Sequence, residues 1–357
     1  MTAATVFDAI ARPAGRRAMM YRSIGTLVVL ATVLLALSGV LGKLQLDLLT
    51  TLLLYIAAAS AWNIIGGFAG QFSLANSAFI GTGAYATVLI LRDLGWGVVP
   101  ALLASAVCGA VLALVMGAIL FRLRDAYFTI GSMAVALAAL IWMSNWDVTG
   151  AATGIAVPMS EVPGRSTLYL LAVVVAVVAV GVCIAVYHSA FGLRLMAVRD
   201  DQDVADSLGL SPVRLKLAAI GLSGAITAAA GGCIAVQQIT IEPFSSFSIN
   251  WSMTFIVMAI VGGLGRVWGP TIGAVIIYYV ITVQLRNVPT LSILIEGALL
   301  IVLIKVLPGG ILGGVGRLVA AVGRRLDARR PASSADPAAA SAARTESTES
   351  AESKEPV

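Results

Sequence analysis

A helix of about 20 mostly apolar residues crosses the hydrocarbon core of a bilayer, and this 357-residue chain repeats runs of that kind along most of its length. They fall near 23–41, 46–66, 70–91, 97–120, 127–146, 167–188, 215–238, 250–264, 268–285 and 290–307. Charged residues make up only 11% of the chain. A soluble domain carries about 25%, so this one lacks the charge to clothe a water-facing surface. The expected fold is an all-α integral membrane protein with about ten transmembrane segments. Glycines and polar residues interrupt the runs at 70–91 and 250–280. That pattern predicts broken or re-entrant helices, which survive at membrane depth only where protein or a cavity surrounds the irregular backbone.

Basic residues collect on the cytoplasmic side of membrane proteins. If the N-terminus is cytoplasmic and the segments alternate, 19 of the 23 Lys and Arg residues lie inside. Only Lys43, Arg92, Arg165 and Arg286 then lie outside. Both termini are therefore expected in the cytoplasm, and the net charge of +5 reflects topology rather than nucleic-acid binding. Residues 1–22 form a basic N-terminus. The apolar run that follows shows no small-x-small cleavage pattern, so it reads as a retained first span and not a signal peptide. Residues 23–314 form the transmembrane domain, and 315–357 a cytoplasmic low-complexity tail. From about Asp327 Ala, Ser, Pro and Glu dominate, and such a segment buries too little apolar surface to offset the entropy of ordering. Cys108, Cys183 and Cys233 sit in separate apolar runs, too far apart for a disulfide framework or metal pair. They read as small buried hydrophobes, and His188 as a membrane-boundary residue.

The longest polar stretch between apolar runs, Ser189–Ile220, falls on the inside. Asp200, Asp201, Asp203 and Asp206 crowd its first half, where negative charge favours a helix N-terminus. Val204, Ala205, Leu208 and Gly209 put small and apolar residues on one face of a short helix. Ser211 and Pro212 then close it and start the next, with Pro at an early helical position. A short cytoplasmic helix with an exposed apolar face suits docking on another protein, and an ordinary solvated loop is the alternative.

Within the membrane, Gln71, Ser73 and Asn76 fall close together. Polar groups at that depth usually face a cavity or a partner, so they are candidates to line a pathway, with interhelical hydrogen bonding as the competing role. Glu296 is the carboxylate most clearly inside an apolar run, and snorkelling or pairing with Arg286 competes with a functional role. The glycines Gly70, Gly81, Gly83, Gly262, Gly263, Gly265, Gly269 and Gly273 read first as close-packing positions. GGFAGQ at 66–71 and GGLGR at 262–266 hint at an internal repeat. There is no GxxxxGK[ST] phosphate loop, no metal-ligand cluster and no Ser/His/Asp set. No catalytic residue, cofactor or metal is expected, and transport energy would have to come from a partner.

Several blocks, in order, resemble the permeases of branched-chain amino acid ABC transporters (LivM/LivH type). Asp203-Val-Ala205-Asp-Ser-Leu-Gly209 resembles the EAA-x3-G coupling loop, with Asp for Glu and Val204 for the first Ala. Gly70-Gln71-Phe-Ser73-Leu-Ala-Asn76-Ser-Ala-Phe79, continuing through Gly81 and Gly83 to Tyr85, is similar to GQxSLGxAAFxxxGAY. Tyr127–Ile130 looks like YFAI, and Thr149-Gly-Ala-Ala-Thr153-Gly-Ile155 like TGGxxGI. Pro243–Ser252, Val261–Arg266 with Gly269, Pro270 and Gly273, and Leu307–Gly313 complete the series over about residues 46–314.

The resemblance implies an ATPase-coupling loop at 189–214, including Arg199, Asp200, Asp203, Ala205, Gly209 and Leu210. It adds Phe79, Thr149 and Thr153 to the pathway candidates. It also implies partners: cytoplasmic ABC ATPase subunits, a second permease subunit forming a heterodimer, and an extracytoplasmic substrate-binding protein. The expected function is a non-enzymatic permease in the plasma (inner) membrane, translocating branched-chain or related small amino acids. A urea or short-amide permease is the alternative cargo, and an ion-coupled carrier or channel the alternative class.

Overall fold

The computed structural model describes residues 13–39, 42–123, 125–279 and 310–314. The main helices are α1 (Pro13–Leu37), α2 (Lys43–Asn63), continued by a π-helical stretch at Ile64–Phe68, α3 (Asn76–Leu89), α4 (Val98–Leu120), α5 (Asp125–Ser144), α6 (Arg165–His188), α7 (Ala190–Asp200), α8 (Gln202–Ser207), α9 (Pro212–Gln238), α10 (Pro243–Ser246), α11 (Ile249–Gly262) and α12 (Gly269–Tyr278). Strands β1 (Ile155–Ala156) and β2 (Thr240–Ile241) form one short antiparallel pair, with Ile155 opposite Ile241. The protein is all-α and built to cross a membrane. Among the described residues, seven helices are long and apolar enough to span one.

That is fewer than the ten segments expected, and the expected breaks account for part of the difference. The run at 70–91 yields a 14-residue helix, α3, preceded by irregular backbone. The run at 268–285 yields the ten-residue α12 over its described part, and the run at 290–307 lies outside the described residues. Helix α9 runs through the middle of the bundle against α2, α3, α4 and α6. Helices α1 and α6 pack together, and α11 and α12 lie against α2.

Lipid tails are as apolar as leucine, so close van der Waals approach must hold spanning helices together. The α4–α9 seam shows how. A Cβ placed on Gly224 would come within 2.5 Å of the Ala113 Cβ and 2.8 Å of the Gly109 carbonyl oxygen. Small residues one turn apart on both helices let the backbones nearly touch. Cys183 and Cys233 are buried as expected, but Cys108 is exposed on α4, because the small residues of that helix turn the opposite face inward.

The bundle has two polar ends. At one, Arg165 pairs with Asp47, and Gln237 Nε2 donates to the Asp47 carbonyl at 3.2 Å and to Thr51 Oγ1 at 3.0 Å. Arg92 reaches the Val148 carbonyl at 3.2 Å. At the other end lie Asn63, Arg199 and Arg266. Among the described residues, Arg92 and Arg165, read as outside, thus lie at the opposite end from Arg199 and Arg266, read as inside.

Candidate functional site

The loop between α6 and α9 folds into a helical elbow. Ser189 stops α6 and caps α7, its Oγ accepting from the Gly192 N–H at 3.1 Å. Asp201 is extended, with φ −157° and ψ 115°, and its carboxylate accepts from the Asp203 and Val204 N–H groups, both at 3.0 Å. This cap turns the chain and starts α8. Gly209, at φ +81°, ends the helix in the left-handed conformation open to glycine. Ser211 then leads into α9 with Pro212 at its first turn.

Burial on α8 divides sharply. Ala205 is 2% exposed and anchors the helix, whereas Val204 is 54% and Leu208 75% exposed. A Cβ on Gly209 would meet nothing within 4 Å, and Leu210 is half-buried. Asp200, Asp203 and Asp206 are exposed around these apolar side chains. The elbow therefore presents a small apolar surface with an acidic rim.

Arg199 links this surface to the membrane helices. Its Nη1 donates to the Gly67 carbonyl at 3.0 Å, while Nε and Nη2 bond Asp200 Oδ1 at 3.0 and 2.9 Å. Its stem lies against Gly70, where a Cβ would overlap it. The two glycine motifs singled out as a repeat meet at this point. Asn63 Oδ1 accepts from the Gly265 N–H and Asn63 Nδ2 donates to the Arg266 carbonyl, both at 3.0 Å. A Cβ on Gly67 would approach the Gly265 nitrogen to 2.8 Å. Helix α7, the π-helical stretch Ile64–Phe68 that continues α2 and the turn between α11 and α12 are thus joined by two side chains, Arg199 and Asn63.

The break before α3 is sealed by side chains. Trp62 Nε1 donates to the Ser73 carbonyl at 2.8 Å, and Thr129 Oγ1 to the Phe72 carbonyl at 2.9 Å. The Leu74 N–H donates to Ser132 Oγ at 2.9 Å, and the Leu74 carbonyl accepts from Ser252 Oγ at 2.7 Å. Ser252 Oγ also accepts from the Ser77 N–H at 2.8 Å. Irregular backbone in a bilayer has no water to bond, so protein groups must supply these partners.

The pathway candidates fall in different places. Ser73, Asn76 and Phe79 come together, fully buried beside the break. Asn76 Nδ2 reaches Thr227 Oγ1 at 3.4 Å, leaving its Oδ1 without a hydrogen-bond partner. Gln71 lies apart, in a polar hollow of about 250 Å³ with Arg199, Gln202 and Lys216. Thr149 is buried near the opposite end, its Oγ1 donating to the Met143 and Trp146 carbonyls at 2.9 and 2.7 Å. Thr153 Oγ1 donates to Gly150 at 2.7 Å in the same loop. Glu296 lies outside the described residues.

Among the glycines, Gly83 abuts the Ala228 carbonyl and Gly81 the Phe247 ring. Gly262, Gly269 and Gly273 lie where α11 and α12 touch, and Gly263 and Gly265 have φ +125° and +72° in the turn between them.

Sequence reasoning did not single out a second hollow, of about 290 Å³, between α2 and the α10–α11 turn. Tyr55 and Trp251 meet there edge to face at 5.8 Å, and Trp251 Nε1 donates to the Ser245 carbonyl at 3.0 Å. The available signal was the polar stretch Ser245–Asn250 between two apolar runs.

Comparison with known proteins matches residues 44–304 to the family described as branched-chain amino acid transport system / permease component. The chain is 26% identical over 299 residues to a protein of Salmonella typhimurium, the high-affinity branched-chain amino acid transport system permease protein LivM. That match covers 75% of this chain and 70% of the relative. The Escherichia coli protein of the same description is 25% identical, over 80% of this chain and 74% of its own length. A probable branched-chain amino acid transport permease protein LivM from Methanocaldococcus jannaschii is 24% identical, over 52% and 56%. No solved structure matches the chain.

Proposed function

This chain belongs to the branched-chain amino acid transport permease family, and from that premise we propose that it is the transmembrane subunit of an ATP-driven importer for branched-chain or related small amino acids. A permease component is not itself an enzyme, and in this reading partner subunits hydrolyse the ATP. The elbow supports the reading best: it exposes Val204 and Leu208 beside Gly209, a shape suited to a groove on a cytoplasmic ATPase. The elbow end faces the cytoplasm, as do both termini, and residues 315–357 form a cytoplasmic tail after the 23–314 permease domain. The protein resides in the inner membrane, pairs with a second, different permease subunit, and receives substrate from an extracytoplasmic binding protein.

In this mechanism ATP-driven closure of the ATPases displaces α8 and, through it, α7. Arg199 holds the Gly67 carbonyl in the π-helical end of α2, and Asn63 ties that end to Gly265. Movement of α7 is therefore passed to the junction after α2 and to the junction between α11 and α12. Those junctions carry the left-handed glycines Gly70, Gly263 and Gly265. They set the angles at which α3 and α12 leave, and hinges of this kind absorb domain-scale motion.

The test is uptake of labelled leucine, with urea in parallel, by cells with and without the gene, before and after ATP depletion at maintained membrane potential. Leucine uptake should need both the gene and ATP. Gene-dependent urea uptake instead would change the cargo, and leucine uptake that survives ATP depletion would overturn the importer reading.

A further inference from the structure

The surface beside α10 and α11 departs from what a lipid-facing wall requires. Tyr55 lies eight residues from Asp47, at one polar end of α2, and eight from Asn63, at the other. At about 1.5 Å per residue it sits roughly 12 Å from either end, near the middle of the membrane. The hollow beside it is rimmed by Ser245, Ser248, Asn250 and Thr254. Asn250 and Ser245 are exposed there. An amide and hydroxyls left against hydrocarbon at that depth are costly and usually face a cavity or partner.

The chemistry of the hollow is divided. Its apolar side is the edge-to-face pair of Tyr55 and Trp251, backed by Phe255 at 5.9 Å from Trp251, with the exposed ring of Phe244 beside it. Its polar side offers hydroxyls and one amide, groups that both donate and accept hydrogen bonds. At about 290 Å³ it is a shallow, largely open hollow, close in volume to the smallest ligand pockets, about 300 Å³. A facing surface would enclose it. Such a division suits a zwitterion with an apolar side chain, whose side chain lies on the rings and whose charged end meets the amide and hydroxyls.

We propose that this hollow is a substrate subsite at mid-membrane, taking a small amino acid with an apolar side chain and lying on the translocation path. The proposal rests on the amino-acid importer reading and adds where the cargo sits. It moves the pathway away from Ser73 and Asn76, which are fully buried beside the sealed break, to an open face of the subunit.

The test uses the full-length chain with its partner subunits in membranes. Asn250 is exposed, so Asn250→Leu should leave the fold intact while raising the KM for leucine about ten-fold. Asn250→Cys should react with a water-soluble maleimide above the background of the native cysteines, and leucine should protect it. An unchanged KM, or labelling that leucine does not slow, overturns the subsite. So does a cysteine that water-soluble reagent never reaches, which would mark the face as a dry contact with the second subunit. If the unaltered importer does not take up leucine at all, the amino-acid reading fails, and with it the cargo assigned here. If it does and the variants behave as wild type, the subsite alone fails.

Discussion

The two polar ends of the bundle use similar residues in different ways. At the Asp47 end, side chains chiefly bond one another or the ends of neighbouring helices: Arg165 with Asp47, Gln237 with Thr51 and the Asp47 carbonyl. At the Arg199 end, a guanidinium and an amide hold backbone at the π-helical end of α2, at Gly67, and in the glycine turn between α11 and α12, at Gly265 and Arg266. The first arrangement ties helices already rigid. The second grips backbone next to the two glycine breaks, and in the proposed mechanism a push on α7 reaches α3 and α12 through it. One end serves as a fastening and the other as a linkage. The linkage end also exposes apolar side chains, on α8.

This contrast can be broken most severely at Gly209. Its left-handed φ and open surroundings mean that Gly209→Trp costs about 1–2 kcal/mol of local strain but fills the space that the proposed docking needs. Uptake should be abolished while immunoblots show normal amounts in the membrane. Uptake at the wild-type rate would remove the elbow from the mechanism.

Arg199→Ala tests the linkage itself. The bond to the Gly67 carbonyl is charge-assisted, and such bonds contribute about 1.5–3 kcal/mol. Leucine uptake should fall about ten-fold while the reconstituted complex retains its ATPase activity, with Lys recovering part of the coupling. Parallel loss of both activities would mean that Arg199 only supports the fold.

The fastening end should respond least. The Asp47–Arg165 pair is exposed, with side-chain accessibilities of 37% and 57%, and exposed pairs are worth about 0.2–1 kcal/mol. A double-mutant cycle of Asp47→Ala and Arg165→Ala should give a coupling energy in that range by thermal unfolding in detergent, with uptake nearly unchanged. A large loss of uptake there would erase the distinction between the ends.

Much of this was legible beforehand. Seven of the ten apolar runs match helices long enough to span, the charge bias sorted Arg92 and Arg165 from Arg199 and Arg266, and the breaks before α3 and between α11 and α12 fall inside the interrupted runs at 70–91 and 250–280. Asp201 and Pro212 act as local capping chemistry dictates. The family resemblance pointed to the elbow. The hollow beside Tyr55 was not legible, because Tyr55 and Trp251 are nearly two hundred residues apart and neither is unusual in its own run. Nor was the scatter of the pathway candidates. Gln71 and Asn76 are five residues apart, yet the break sends them to different surroundings.

What the sequence determined by itself is which segments leave water and where they stop, since hydropathy, charge and glycine act through solvent and local backbone geometry. What the tertiary structure decided is which side of each segment faces protein. Helix α4 shows why: Leu103, Val107, Val111 and Ile119 are exposed, while Ser105, Gly109 and Ala113 are buried. In water the large apolar side chains would mark the core. In a bilayer both core and surroundings are apolar, so the hydrophobic effect does not choose the face. Backbone approach at small residues and hydrogen bonding between distant segments choose it instead.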